Sequence, residues 1–305
     1  MKNGFFLVGV ASGLLWGFND VSTSMVSQHL FLSSLLTSMT FALCLALLQD
    51  ASSACAIVGV SALRKSWLTQ WRASRSVRWT IVLSALFSGP FGLVCSILAI
   101  SYVGAVYAGA ITAAFPLVTM VGAKCYLKES ISVKRLCGML LGVTAVMAIG
   151  LMGAHRHGSH VVLGLMFAFL SMLGWGVESL FFSKAYSQTG MNSSSILALR
   201  QMFSSFFYAV VLIVMLFLDP HELNLFHQVL RQPLLLMCIC SAGLSYLAYY
   251  FSIKNLTASV ATLFNITFLF WSAVISVCLG LVILSWWFWC WACLLFLGLI
   301  ISFRN

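Results

Sequence analysis

The chain has 305 residues, of which 62% are hydrophobic and only 7% charged. An ordinary soluble domain is roughly a quarter charged, so no water-facing surface can be built from this sequence. The net charge of +10 does not indicate nucleic acid, because the basic residues gather between apolar runs, as orientation signals do.

Apolar runs near the roughly 20 residues needed to cross a bilayer fall at 4–22, 31–50, 79–100, 103–123, 133–152, 161–182, 194–218, 233–253, 256–279 and 282–302. They predict an all-α, polytopic membrane protein with ten transmembrane helices. The first run follows a single lysine and lacks a small-residue cleavage site, so it reads as a retained helix rather than a signal peptide. In the second, Gln49 and Asp50 interrupt the apolar pattern, which puts Asp50 near a span end and leaves 54–63 to prolong the helix or lie in the interface. Gly89-Pro90 in the third run and Pro116 in the fourth interrupt helices, a feature tolerated where a helix lines a cavity. The prolines belong to the first half alone. The sixth run carries Glu178 and the seventh Arg200, the one basic residue inside a span. The eighth contains Ser-Tyr-Leu-Ala-Tyr-Tyr, which sets Tyr246 on one stripe with Tyr249 and Tyr250. The stripe serves packing or a ligand. Asn265 in the ninth run is a polar group whose plain role is to join helices.

With the N-terminus inside, thirteen of the sixteen Lys and Arg residues fall on the cytoplasmic side. That bias predicts both termini cytoplasmic. All six histidines then lie outside, and His155-Arg156-His157-Gly158-Ser159-His160 reads as a solvated loop rather than a metal tract. Most of the ten cysteines fall within spans, where Cys behaves as a small apolar residue. Cys290 and Cys293 lack the second pair that a metal site would need. No cofactor or metal is expected.

The two halves repeat. Ser12-Gly13-Leu14-Leu15-Trp16-Gly17 lies over Ser171-Met172-Leu173-Gly174-Trp175-Gly176 at an offset of 159, and 78–127 runs in step with 231–280 at an offset of 153. The predicted units are residues 1–153 and 161–305, each of five helices. Five is odd, so the second is inserted upside down relative to the first. Transporters built this way place substrate between the repeats, which points first to Trp16 and Trp175. Of six acidic residues, Asp20 and Glu178 are expected inside or lining the membrane, where a charge costs roughly 2.5–3.5 kcal/mol on insertion scales and marks function by default. Glu178 shares a helix face with Trp175, and Asp20 shares one with Trp16. The plainer readings are an ion pair between Glu178 and Arg200 and a solvated Asp20 near the outer end of its helix.

These segments, with Ser-Gly-Pro-Phe-Gly at 88–92, Tyr-Val-Gly-Ala at 102–105, Leu-Lys-Glu-Ser-Ile-Ser at 127–132 and Leu-Arg-Gln at 199–201, make the chain resemble the drug/metabolite transporter superfamily in its ten-helix EamA-type form. Within it, the chain is most similar to the LicB-type choline permeases. The resemblance implies a basket of ten helices in a bacterial inner membrane, alternating access, and proton-coupled uptake of a quaternary ammonium held in an aromatic cage. On this chain Trp16, Trp175 and a tyrosine among Tyr246, Tyr249 and Tyr250 would be cage walls, and Glu178 the countercharge. Asp20 or Glu178 would carry the proton. The superfamily's Glu after the fourth helix of a half is present as Glu129 but is Val282 in the second half. Its Arg in the second helix is present as Arg200 but is Thr40 in the first. Asp20 is an additional acid. Two other readings stand beside uptake of an organic cation: export of amino acids or other neutral metabolites, and an integral membrane enzyme, which would need an acid–base or metal cluster that the scattered acids do not form.

Overall fold

In a bilayer the peptide groups of an apolar run have no water to bond, so they close on themselves as helices. The computed structural model describes residues 2–30, 32, 34–152, 160–281, 283 and 285–303, and among these there is no strand. Helix α1 (Lys2–His29) is followed by α2 (Leu35–Leu63), which starts at a capping box between Ser34 and Thr37. Helix α2 runs unbroken through Gln49 and Asp50, so 54–63 prolong it. Asp50 is therefore mid-helix and fully buried, which corrects the expectation that it stands near a span end. A Gln and an Asp lower local hydropathy, but they do not stop a helix when their side chains turn toward neighbouring helices.

A short helix, α3 (Trp67–Ala73), leads into the third span, made of α4 (Arg78–Leu86), a π-helical stretch (Phe87–Val94) and α5 (Cys95–Val103). The π turn contains Pro90, whose missing N–H removes one ordinary helical bond. The fourth span is split into α6 (Ala105–Thr112) and α7 (Phe115–Tyr126), with Pro116 in the first turn of α7. Helices α8 (Val133–Met152), α9 (Val161–Thr189), α10 (Ser193–Leu218), the short α11 (Glu222–Leu230) and α12 (Leu235–Asn255) follow. The ninth span is also split, into α13 (Ala258–Asn265) and α14 (Phe268–Cys278), and α15 (Trp286–Phe303) completes the order.

The breaks at residues 113–114 and 266–267 lie 153 positions apart, the same offset as the sequence match. Only the first is followed by a proline, so Pro116 accommodates a helix start rather than creating the break. The short helices α3 and α11 lie in the connections between spans.

Eight helical runs among the described residues are long and apolar enough to cross a membrane, and 286–302 is a shorter apolar helix. The fifth position is occupied by α8. Helix α1 packs along α12, α9 along the α4–π–α5 run, α2 along α10, α7 along α13, and α8 along α15. The last pair meets through small residues: a Cβ on Gly298 would lie 2.6 Å from the Gly138 carbonyl oxygen, a spacing that only glycine permits and that membrane helices use for close approach. Polarity is arranged opposite to that of a soluble domain. Phe217 is 84% and Leu218 78% exposed, whereas Asp20, Asp50, Glu178 and Arg200 are buried. A multi-pass membrane protein presents its surface in this way, because lipid takes the place of water around the apolar shell.

Candidate functional site

Trp16 and Trp175, 159 residues apart in sequence, meet edge to face with ring centroids 5.5 Å apart. Tyr246 completes a triangle, 5.1 Å from Trp16 and 5.9 Å from Trp175. The residue after each tryptophan explains how α1 and α9 come in so closely. A Cβ on Gly17 would stand 3.0 Å from the Phe268 carbonyl oxygen, and one on Gly176 would stand 3.1 Å from that of Phe115. Phe115 and Phe268 open α7 and α14, just past the two helix breaks. Each tryptophan-bearing helix thus rests on the broken span of the other half.

A small cavity lies at this junction. Trp16, Trp175, Tyr246 and Tyr249 wall it, and Thr112, Phe115, Asn265 and Phe268 border it from the broken spans, with Ser245 beside them. Asn265 donates from Nδ2 to Ser12 Oγ at 3.0 Å, and Ser245 Oγ donates to the Ser12 carbonyl at 2.8 Å. These two bonds tie α13 and α12 to α1, so the polar edge of the cavity is fixed by three helices.

Of the residues expected here, Trp16, Trp175, Tyr246, Tyr249 and Asn265 line the cavity, and Glu178 and Tyr250 do not. Instead, the Tyr250 hydroxyl donates to Glu178 Oε1, while Glu178 Oε2 has no hydrogen-bond partner among the described residues. Tyr250 is itself packed on Phe182, ring centroids 4.1 Å apart. Asp20 is 3% exposed and its Oδ1 is without a partner among the described residues, which corrects the reading of a solvated acid at a helix end.

Arg200 makes an ion pair, but with Asp50 rather than Glu178. Its Nη1 is 3.0 Å from both Asp50 oxygens, and the same carboxylate accepts from Gln201 Nε2 and the Tyr208 hydroxyl, each at 3.2 Å. The guanidinium lies 4.6 Å from the Tyr246 ring centroid and 6.0 Å from that of Trp175. Sequence reasoning missed Asp50, Gln201 and Tyr208. One signal was available: a base inside a span needs an acid at similar depth, and Asp50 was the unassigned acid within an apolar run.

The position matching Glu178 at the 159 offset is Asn19. Its Oδ1 accepts from Gln49 Nε2 at 2.8 Å, with both side chains buried. Glu129 accepts from Ser259 Oγ at 3.0 Å, linking the α7–α8 connection to the start of α13. Val282 and residues 155–159 of the histidine tract lie outside the described residues.

The sequence profile described as EamA-like transporter family matches this chain twice, over residues 3–151 and 162–304. Protein LicB of Haemophilus influenzae is 25% identical over 209 residues, 67% of this chain and 70% of that protein. A solved structure, titled only as the crystal structure of a protein, superposes with a TM-score of 0.66 at 15% identity and covers 99% of this chain and 97% of its own. At that identity the likeness speaks for the fold.

Proposed function

Because the chain belongs to the EamA-like transporter family, a multi-pass family that moves small molecules across a bilayer, we propose that it imports choline or a related quaternary ammonium ion, coupled to protons. The observation that carries this reading is the convergence of Trp16, Trp175 and Tyr246 on one cavity. A quaternary ammonium cannot donate a hydrogen bond, so it must be stabilised by ring faces and by nearby negative charge. A desolvated cation–π contact supplies about 2 kcal/mol. The three rings already touch one another, so the cation rests against the faces turned to the cavity rather than among the rings. Glu178, one turn along α9 from Trp175 and without an ion-pair partner among the described residues, is the countercharge. The likeness to Protein LicB supports the same assignment.

Alternating access follows from two inverted repeats, residues 1–153 and 161–305, that rock about this cavity. Three observations support the repeats: the double profile match, the helix breaks 153 positions apart, and the exchange by which α1 packs on α12 as α9 packs on the α4–π–α5 run. Asp20 and Glu178 are the proton carriers. With both termini cytoplasmic in a bacterial inner membrane, a negative-inside potential favours cation entry by about 2.3 kcal/mol per charge at 100 mV.

Export of amino acids is the second reading, and one observation favours it: the Arg200 guanidinium beside Tyr246 would suit a solute carboxylate. Counterflow in proteoliposomes, with labelled choline set against labelled aromatic amino acids, separates the two. Exchange of choline and not of amino acids is expected. Exchange of amino acids alone overturns the proposal.

A further inference from the structure

The ring cluster has a positive charge close behind it, which is the wrong sign for a cation site. Arg200 is fully buried and does not line the cavity, yet its guanidinium lies 4.6 Å from the Tyr246 centroid and 6.0 Å from that of Trp175. A cation on the cavity face of Tyr246 would share that ring with a second cation. Asp50 removes the conflict. Its carboxylate contacts Arg200 through both oxygens at 3.0 Å and is held from the other side by Gln201 and Tyr208. With the pair neutral as a unit, Glu178 and Asp20 are left as buried carboxyls without an ion pair among the described residues.

We propose that Asp50, by neutralising Arg200 behind Tyr246, determines that the cavity accepts a cation: Asp50 is a specificity-determining residue that never touches the solute. The proposal rests on the reading of the ring cluster as a cation site. It assigns a purpose to the four-residue network of Asp50, Arg200, Gln201 and Tyr208, which the ring cage alone leaves unexplained. Arg200 fixes the Tyr246 ring by lying on it, and Asp50 hides the charge that does the fixing.

A cation on the far face of Tyr246 stands roughly twice the ring–guanidinium distance from Arg200. At an effective dielectric of about 20, an unneutralised unit charge at that range weakens cation binding by roughly tenfold or more. The test is equilibrium binding of choline and of its uncharged isostere 3,3-dimethyl-1-butanol to purified, monodisperse protein. Asp50→Asn keeps the side-chain volume and one of the two acceptor oxygens that Gln201 and Tyr208 use, but leaves Arg200 uncompensated. It is expected to weaken choline by roughly tenfold or more and the isostere by no more than about twofold. The double variant Asp50→Asn/Arg200→Gln is expected to return the choline-to-isostere ratio toward that of the wild type. Equal weakening of both ligands, or a ratio that the double variant does not restore, makes Asp50 merely structural and overturns the proposal. Should Asp50→Asn not fold, Asp50→Ser carries the same expectation and the same overturning result. Failure of the wild-type protein to bind choline at all would instead overturn the cation reading, so the two failures are told apart.

Discussion

The two halves of the molecule place the same tryptophan on the same kind of helix and then differ one turn later. In the first half Trp16 is followed by Asn19, whose amide oxygen accepts from Gln49 in a neutral pair. In the second half Trp175 is followed by Glu178, a buried carboxyl with one oxygen satisfied by Tyr250 and the other without a partner among the described residues. The backbone frame of glycine, aromatic pair and broken partner helix is common to both. Only the charge is not. A duplicated frame can thus keep its packing symmetry while one substitution sets an acid three residues after one tryptophan and an amide three residues after the other. The Asp50–Arg200 pair adds to the asymmetry, because Arg200 comes from α10 of the second half and its partner from α2 of the first.

The comparison can be broken most severely at Glu178. Glu178→Gln gives the position three residues after Trp175 the neutral amide that Asn19 has after Trp16, and concentrative choline uptake into proteoliposomes is expected to fall to the level of protein-free vesicles, with unchanged yield of folded protein. Uptake at the wild-type rate would remove Glu178 from the mechanism. Next in size is Asp50→Ala, which strands the Arg200 charge in the core. Breaking a buried pair in this manner costs about 3–5 kcal/mol, read as a marked fall in the unfolding temperature of the detergent-solubilised protein. Trp16→Ala and Trp175→Ala each remove one ring. If each ring supplies about 2 kcal/mol, choline affinity drops by roughly thirtyfold for either, and similar losses from the two would show that both halves bind equally. A loss confined to one would place the solute on that side. The smallest effect is expected at Gln49→Leu. It leaves the Asn19 amide without its partner, at about 0.6–1.7 kcal/mol for a hydrogen bond between membrane helices, and adding Asn19→Leu should recover part of the stability.

Much of this architecture could be read directly from the residues, and the reason is length and solvent. Apolar runs in lipid must be helical, so the spans followed from composition. The bounds of α2 escaped that logic, since hydropathy falls at Gln49 and Asp50 while the helix does not end. The approach of Trp16 to Trp175 was legible through the repeat, because equivalent residues of two related halves meet near the axis that relates them. Tyr246 was legible only as a member of a stripe. Helical periodicity selects a face but not which residue along it borders the cavity, so Tyr246 and Tyr249 could not be separated from Tyr250 in advance.

The amino-acid sequence by itself determined the class of the protein, its spans, its duplication and the aromatic pair, since each depends on local hydropathy or on similarity along the chain. Tertiary structure alone decided that Arg200 takes Asp50 and leaves Glu178 to Tyr250, and that both broken spans break at matched positions. Partner choice between buried charges depends on distances across helix interfaces. Those distances arise from how glycines such as Gly17 and Gly176 let the helices close, which no reading along a single chain can measure.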